Sequence, residues 1–149
     1  MSDFQIYPSV DENYNFPIEV KRALTRRYET ELATSSLAEN AVWSSTVDLA
    51  KSYRLLHIST SVPARVRMYA TVAQQIADVD REIGTDPVGD HGLMFEYVTV
   101  PETLSAILSP TVDGVSFELV PSIVPISITN LSATNQVVGV ILIYMITEF

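Results

Sequence analysis

The sequence predicts a mainly β protein: an antiparallel β-sandwich or jelly roll, preceded by an extended N-terminal arm and one helix. Two observations lead there. From residue 36 onward, short runs rich in β-branched and aromatic residues recur between turn formers, with little helical spacing. One run, 64–70, alternates strictly between small or apolar residues and Arg65, Arg67 and Tyr69, the period of a strand with Val66 and Met68 facing inward. The 149 residues divide on this pattern into an arm and helix over 1–35 and a sandwich over 36–149. The chain is long enough to bury a core without disulfide or metal support, and the absence of cysteine removes disulfides, thiol nucleophiles and Cys-ligated metals.

Residues 1–15 show no sustained period, carry Pro8, and mix aromatic with acidic residues. Phe4, Ile6, Tyr7 and Val10 cannot build a core by themselves, so an arm of this kind is either frayed or ordered by lying on a neighbour. A helix is expected next. Asn15 suits the N-cap, Pro17 the first turn, and Glu19 the positive end of the dipole. Phe16, Val20, Leu24, Tyr28 and Leu32 recur every four residues, predicting a helix over about 16–33 with one apolar stripe. Lys21, Arg22, Arg26 and Arg27 make its other face basic.

The strand runs follow at 41–49, 53–60, 64–70, 93–99, 104–108, 115–120, 123–129 and 136–147, with Pro101, Pro110, Pro121 and the 130–135 segment between the later ones. Pro125 predicts an edge position or a bulge for its strand. Between 71 and 84 the alternation breaks, and a loop with one helical turn is expected, followed by the turn-dense 84–92. The final run is apolar on both faces: Val137, Ile141, Ile143 and Met145 on one, Val138, Val140, Leu142, Tyr144 and Ile146 on the other. An antiparallel strand normally wets one face, so the arm, the helix or another subunit must cover one of them. The candidate interface residues are therefore Phe4, Ile6, Tyr7, Val10, Phe16, Val20, Leu24, Tyr28, Val140, Leu142 and Tyr144.

Charge narrows the partners. All nine Lys and Arg fall at or before Arg81, beside ten acids, while the last 68 residues carry eight acids and no Lys or Arg. That surface repels phosphate backbones, so nucleic acid is not an expected partner. The most apolar stretch, 137–146, is about half the roughly 20 residues of a membrane helix, and no basic segment followed by an apolar run marks a secretory signal. No membrane partner is expected.

Nothing in the chain singles out a catalytic, cofactor or metal site. His57 and His91 have no second ligand at metal-site spacing, and His57 reads as a satisfied strand position. Asp78, Asp80, Glu82, Asp86 and Asp90 do not follow a calcium-loop pattern and read as a solvated loop pairing locally with Arg81. Ser44, Ser45, Ser59 and Ser61 lie near His57 without a nucleophile elbow or an orienting acid. The Asn130-Leu131-Ser132 sequon reads as a chance match in a turn. Trp43, Tyr53, Tyr69 and Tyr97 could serve a carbohydrate-binding module, although aromatics in strands usually form core or cross-strand pairs.

Arg65 to Thr71, Ala77-Asp78, Arg81, Ile83 to Pro87 and Gly89 to Gly92, followed by Ile128 to Ser132 and a long last strand, resemble small β-sandwich proteins encoded among the structural genes of tailed bacteriophages. The resemblance spans about 53–149. The segment Asn15 to Leu24 is similar to stretches near the start of phage tail fibres. What the resemblance implies is a non-enzymatic virion component, made in the host cytoplasm and located in the virion. Its partners would be other virion proteins and copies of itself, in the tail, baseplate or fibre-attachment region, with capsid decoration as the alternative. The resemblance assigns no site residue.

Overall fold

Eight strands and one short helix follow one another in the computed structural model, which describes residues 26–149. They are β1 (Arg27–Leu37), β2 (Val42–Asp48), β3 (Ser52–Thr60), β4 (Ala64–Tyr69), α1 (Val72–Ala77), β5 (Leu93–Val98), β6 (Ser105–Val115), β7 (Ile123–Asn130) and β8 (Gln136–Glu148). The strands form two four-stranded antiparallel sheets, ordered β1-β8-β3-β6 and β2-β7-β4-β5. Strand 1 lies beside 8, 2 beside 7, 3 beside 6 and 4 beside 5, the wrapping of a jelly roll.

Period-two alternation, with one slip in β3 between Leu55 and His57, places the core. Leu55 and Ile58 from β3, Val66 and Met68 from β4, Val124, Ile126 and Ile128 from β7, and Val138, Val140 and Leu142 from β8 are fully buried between the sheets. Each contributes about 1.5–3 kcal/mol of transfer free energy. Tyr53 also fits in this layer because Gly114 opposes it; a Cβ there would stand 2.3 Å from the Tyr53 ring.

Four expectations change. From Arg27 the chain is strand β1, hydrogen-bonded to β8, so the helix expected over 16–33 does not occupy 27–33, and residues 27–35 belong to the sandwich. A four-residue repeat is even, so it satisfies a strand as well as a helix; Tyr28, Thr30 and Leu32 alternate inward with exposed Glu29 and Glu31. The runs at 104–108 and 115–120 are not two strands. β6 passes through both Pro110, after a cis peptide bond, and Gly114, and it ends at Val115, leaving 116–122 as a turn. Pro125 lies in an internal strand, but at a point where β7 has run past its last pair with β4, Met68↔Ile126, and is paired only with Thr46 of β2. The missing N–H is thereby tolerated.

Candidate interaction surfaces

The outside of the β2-β7-β4-β5 sheet is covered by the chain itself. All six residues of β4 are buried: Ala64, Val66 and Met68 in the core, Arg65, Arg67 and Tyr69 beneath α1 and the segment that follows it. Thr71 caps α1 by accepting from the Gln74 N–H at 3.2 Å. From the helix, Gln75 reaches the sheet and donates through Nε2 to the Ile126 carbonyl at 2.7 Å and the Ser45 carbonyl at 3.2 Å. Arg67, 0% exposed, donates to the carbonyls of Asp78 (2.7 Å) and Val79 (3.3 Å), and Arg65 donates to the Arg81 carbonyl at 2.6 Å. Backbone carbonyls that would otherwise be stranded over a sheet are thus satisfied by guanidinium groups rising from it.

Carboxylates complete this network. Asp78 accepts from Arg81 Nε at 2.7 Å and from the Tyr69 hydroxyl at 2.6 Å, with Arg67 Nη1 at 3.5 Å. Glu96 of β5 accepts from Arg65 Nε at 2.6 Å and Arg81 Nη2 at 2.8 Å. Burial disfavours charge on both acids, but the hydrogen bonds to Asp78 from Arg81 and Tyr69, those to Glu96 from Arg81 and Arg65, and the nearby arginine charges outweigh it and hold both pKa values below the ordinary carboxylate range. Burial, then the hydrogen bond to Asp78, pushes the Tyr69 phenol up. Desolvation is also the largest influence on Arg67 and lowers its pKa. Three arginines face two carboxylates here, and Arg65 Nη2, Arg67 Nε and Thr129 Oγ1 are buried without a hydrogen-bond partner among the described residues.

The outside of the other sheet has a different composition. Ile141, Ile143 and Met145 of β8 face outward, half-buried, between β1 and β3. Where β6 pairs with β3 its register slips: Leu55 pairs with Val112 but His57 with Ile107, so the 108–111 stretch bulges. A groove of about 490 Å³ lies beside this bulge, lined by Leu56, His57, Ile107, Leu108, Thr111 and Ile143, with Arg27 of β1 also on its wall. Ile107 is 82% exposed. His57 was expected to be satisfied in its strand, yet its Nδ1 is buried without a partner among the described residues.

A second apolar surface stands at the end of the sandwich, in the β6–β7 turn. Phe117, Leu119 and Val120 are 68%, 102% and 58% exposed. Several polar atoms of this turn are engaged inward. Phe117 N–H donates to the Ala70 carbonyl at 2.9 Å, the Glu118 carboxylate accepts from Val72 N–H at 3.2 Å, and the Ser116 hydroxyl donates to the Ile123 carbonyl at 2.6 Å. The turn is held as a fixed knuckle while its apolar side chains point away.

Of the candidate interface residues, Phe4, Ile6, Tyr7, Val10, Phe16, Val20 and Leu24 lie outside the described residues. Tyr28 sits on β1, half-buried, its ring stacked on Tyr144 with centroids 5.7 Å apart. Val140, Leu142 and Tyr144 face the core and are not surface residues of this chain; the outward face of β8 is the one carrying Ile141 and Ile143. Two apolar faces on one strand look alike in sequence, and only the position of the second sheet distinguishes them. Phe117, Leu119, Val120 and Ile107 were missed. Residues 115–120 read as a strand from sequence, and only the end of β6 at Val115 frees Phe117, Leu119 and Val120 to be exposed.

Other sequence candidates are structural. Asp78 pairs with Arg81 as expected but is buried, and no group of three or more His, Cys, Asp or Glu converges among the described residues. Tyr53 and Tyr69 are fully buried, and Trp43 and Tyr97 pack against the core. Asn130 is also fully buried, its amide donating to the carbonyls of Leu37 and Thr134, so its sequon is committed to holding two turns. No family model, curated protein or solved structure matches the chain.

Proposed function

We propose that this protein is a non-enzymatic structural subunit of a tailed-phage virion, assembling through its N-terminal arm and the outside of its sandwich, in the tail, baseplate or fibre-attachment region. The observation that carries this reading is the display of grouped apolar side chains on a hydrogen-bonded frame: Phe117, Leu119 and Val120 on the knuckle, Ile107 and Ile143 at the groove. Singly exposed apolar residues are ordinary on any protein, but grouped ones mark contact surfaces. The resemblance of 53–149 to phage structural proteins supplies the setting. A jelly roll is also an architecture of viral coat domains, which supports the reading by analogy of fold alone.

The test is composition of particles. A phage carrying this gene with an epitope tag is expected to yield purified virions that contain the tagged chain at a reproducible copy number. A few copies per particle favour the tail and many favour decoration of the head. Virions that lack the chain entirely while infected cells contain it would refute the reading. Because β1 is integral to the sandwich, an arm deletion for such work should stop at residue 25.

A further inference from the structure

We infer that the cavity over Arg65, Arg67 and Thr129 is a binding site for a small monocarboxylic acid with an apolar body. The site is independent of the structural-subunit reading, and it follows from the rows of outward side chains on the β2-β7-β4-β5 sheet. One row runs Ser44, Ser127 and Arg67 across β2, β7 and β4, and the next runs Val42, Thr129 and Arg65. The cover meets the first row, where Gln75 Nε2 donates to Ser127 Oγ at 3.2 Å as well as to the Ser45 and Ile126 carbonyls. It does not fill the second. There a cavity of about 460 Å³ opens between Val42, Thr129 and Arg65 on the sheet and residues 79–83 of the cover, within the roughly 300–1,000 Å³ of small-molecule sites.

Three unpaired groups stand at its floor. Arg65 Nη2, Arg67 Nε and the Thr129 hydroxyl have no hydrogen-bond partner among the described residues, and their residues are 3%, 0% and 6% exposed. A buried donor without an acceptor costs stability, so three on one cavity wall call for an acceptor that the described residues do not supply. Its charge follows from the neighbours. Arg65, Arg67 and Arg81 bring three positive charges to Asp78 and Glu96, and one is left over. Burial first, then the charges of Arg65 and Arg81, lower the Arg67 pKa, the direction set where positive charge is in excess. A carboxylate answers both needs, with one negative charge and oxygens that accept from N–H and O–H donors. Sulfate and phosphate dianions fit less well, because Asp80 and Glu82 stand exposed on the rim and oppose a second negative charge. Val42, Val79, Ile83 and Leu131 give apolar wall to the rest of the molecule. Since the donors are buried, the acid reaches them by parting from the sheet the lip at Glu82 and Ile83, which is exposed and belongs to no helix or strand.

The experiment titrates the full-length purified chain with sodium hexanoate and follows backbone amide and arginine Nε–H signals by NMR. Saturable one-to-one binding is expected, with a Kd of about 1 mM or tighter, moving the signals of Arg65, Arg67 and Thr129. Sodium sulfate at matched ionic strength, and hexanol, are each expected to bind about tenfold more weakly or worse. Thr129→Val keeps the shape and removes an unpaired hydroxyl. It is expected to leave stability in urea unchanged or raised while weakening hexanoate about tenfold. Ile83→Asp, at an exposed wall position, is expected to weaken hexanoate by a similar factor with unchanged circular dichroism. Signals that do not saturate or that move only elsewhere, sulfate or hexanol binding as well as hexanoate, or either variant binding hexanoate like the parent would each overturn the inference. So would a large loss of stability in Thr129→Val, which would show its hydroxyl already bonded within the fold. A chain present in virions that binds no hexanoate sinks this site and leaves the structural-subunit reading standing.

Discussion

Outside the β2-β7-β4-β5 sheet the chain covers its own strands with α1 and the segment after it, whereas the outside of β1-β8-β3-β6 presents Ile107, Ile141, Ile143 and Met145 with no such cover among the described residues. The covered face is polar beneath its cover: Arg65, Arg67 and Tyr69 alternate outward from β4 and meet Asp78, Glu96 and backbone carbonyls. The other is mixed, apolar along β8 and at Ile107 but charged at Arg27, Glu29, Glu31 and the exposed Arg54–Asp113 pair. The difference follows from what each face has to meet. A crossing segment of backbone brings carbonyls that need donors, and arginine supplies several in a fixed fork.

Substitutions can break that comparison. Arg67→Ala is expected to have the largest effect, about 3–5 kcal/mol in urea denaturation, because it strands the Asp78 and Val79 carbonyls and strips a buried carboxylate of one cation. Arg67→Met, which keeps the packing volume, should cost less, and equal costs would show that volume rather than charge holds the cover. Gln75→Ala comes next, at about 1–3 kcal/mol, since the Ile126 carbonyl loses a buried donor.

Acid should act most on the covered face, because the other sheet's paired acids, Asp113 and Glu148, are exposed and their ion pairs with Arg54 and Lys51 are screened by solvent. Asp78 and Glu96 have folded-state pKa values depressed below their unfolded ones, so their contribution is present above the ordinary carboxylate values near pH 4 and is lost as pH falls through the lower folded values. Stability measured by denaturation should therefore fall below about pH 4. An Asp78→Asn, Glu96→Gln double variant, weaker at neutral pH, should show a shallower fall. The smallest effect belongs to the other face: Ile107→Thr is expected to change monomer stability by only about 0.5 kcal/mol, and a loss several times larger would mean that Ile107 supports the fold rather than a contact.

Much of this architecture was legible from local pattern. The alternation at 64–70 identified β4 and its inward Val66 and Met68, and the single helical turn in 71–84 is α1. Arg65 and Arg67 on its other face read as solvent-facing by the same rule, yet both are buried, because alternation reports which residues share a face and not what crosses over it. The spacing of Tyr28 and Leu32 failed for a related reason, since a step of four is common to both regular structures.

The sequence by itself determined that this is a β-sandwich with a core drawn from alternate positions, because side-chain period is a local property of the backbone. It also placed apolar residues on both faces of β8. Which face turns inward, that 116–122 is a fixed knuckle, and that 108–111 bulges to form a groove were decided only by tertiary structure. Each depends on strands far apart in the chain coming to lie side by side, and no single segment carries that information.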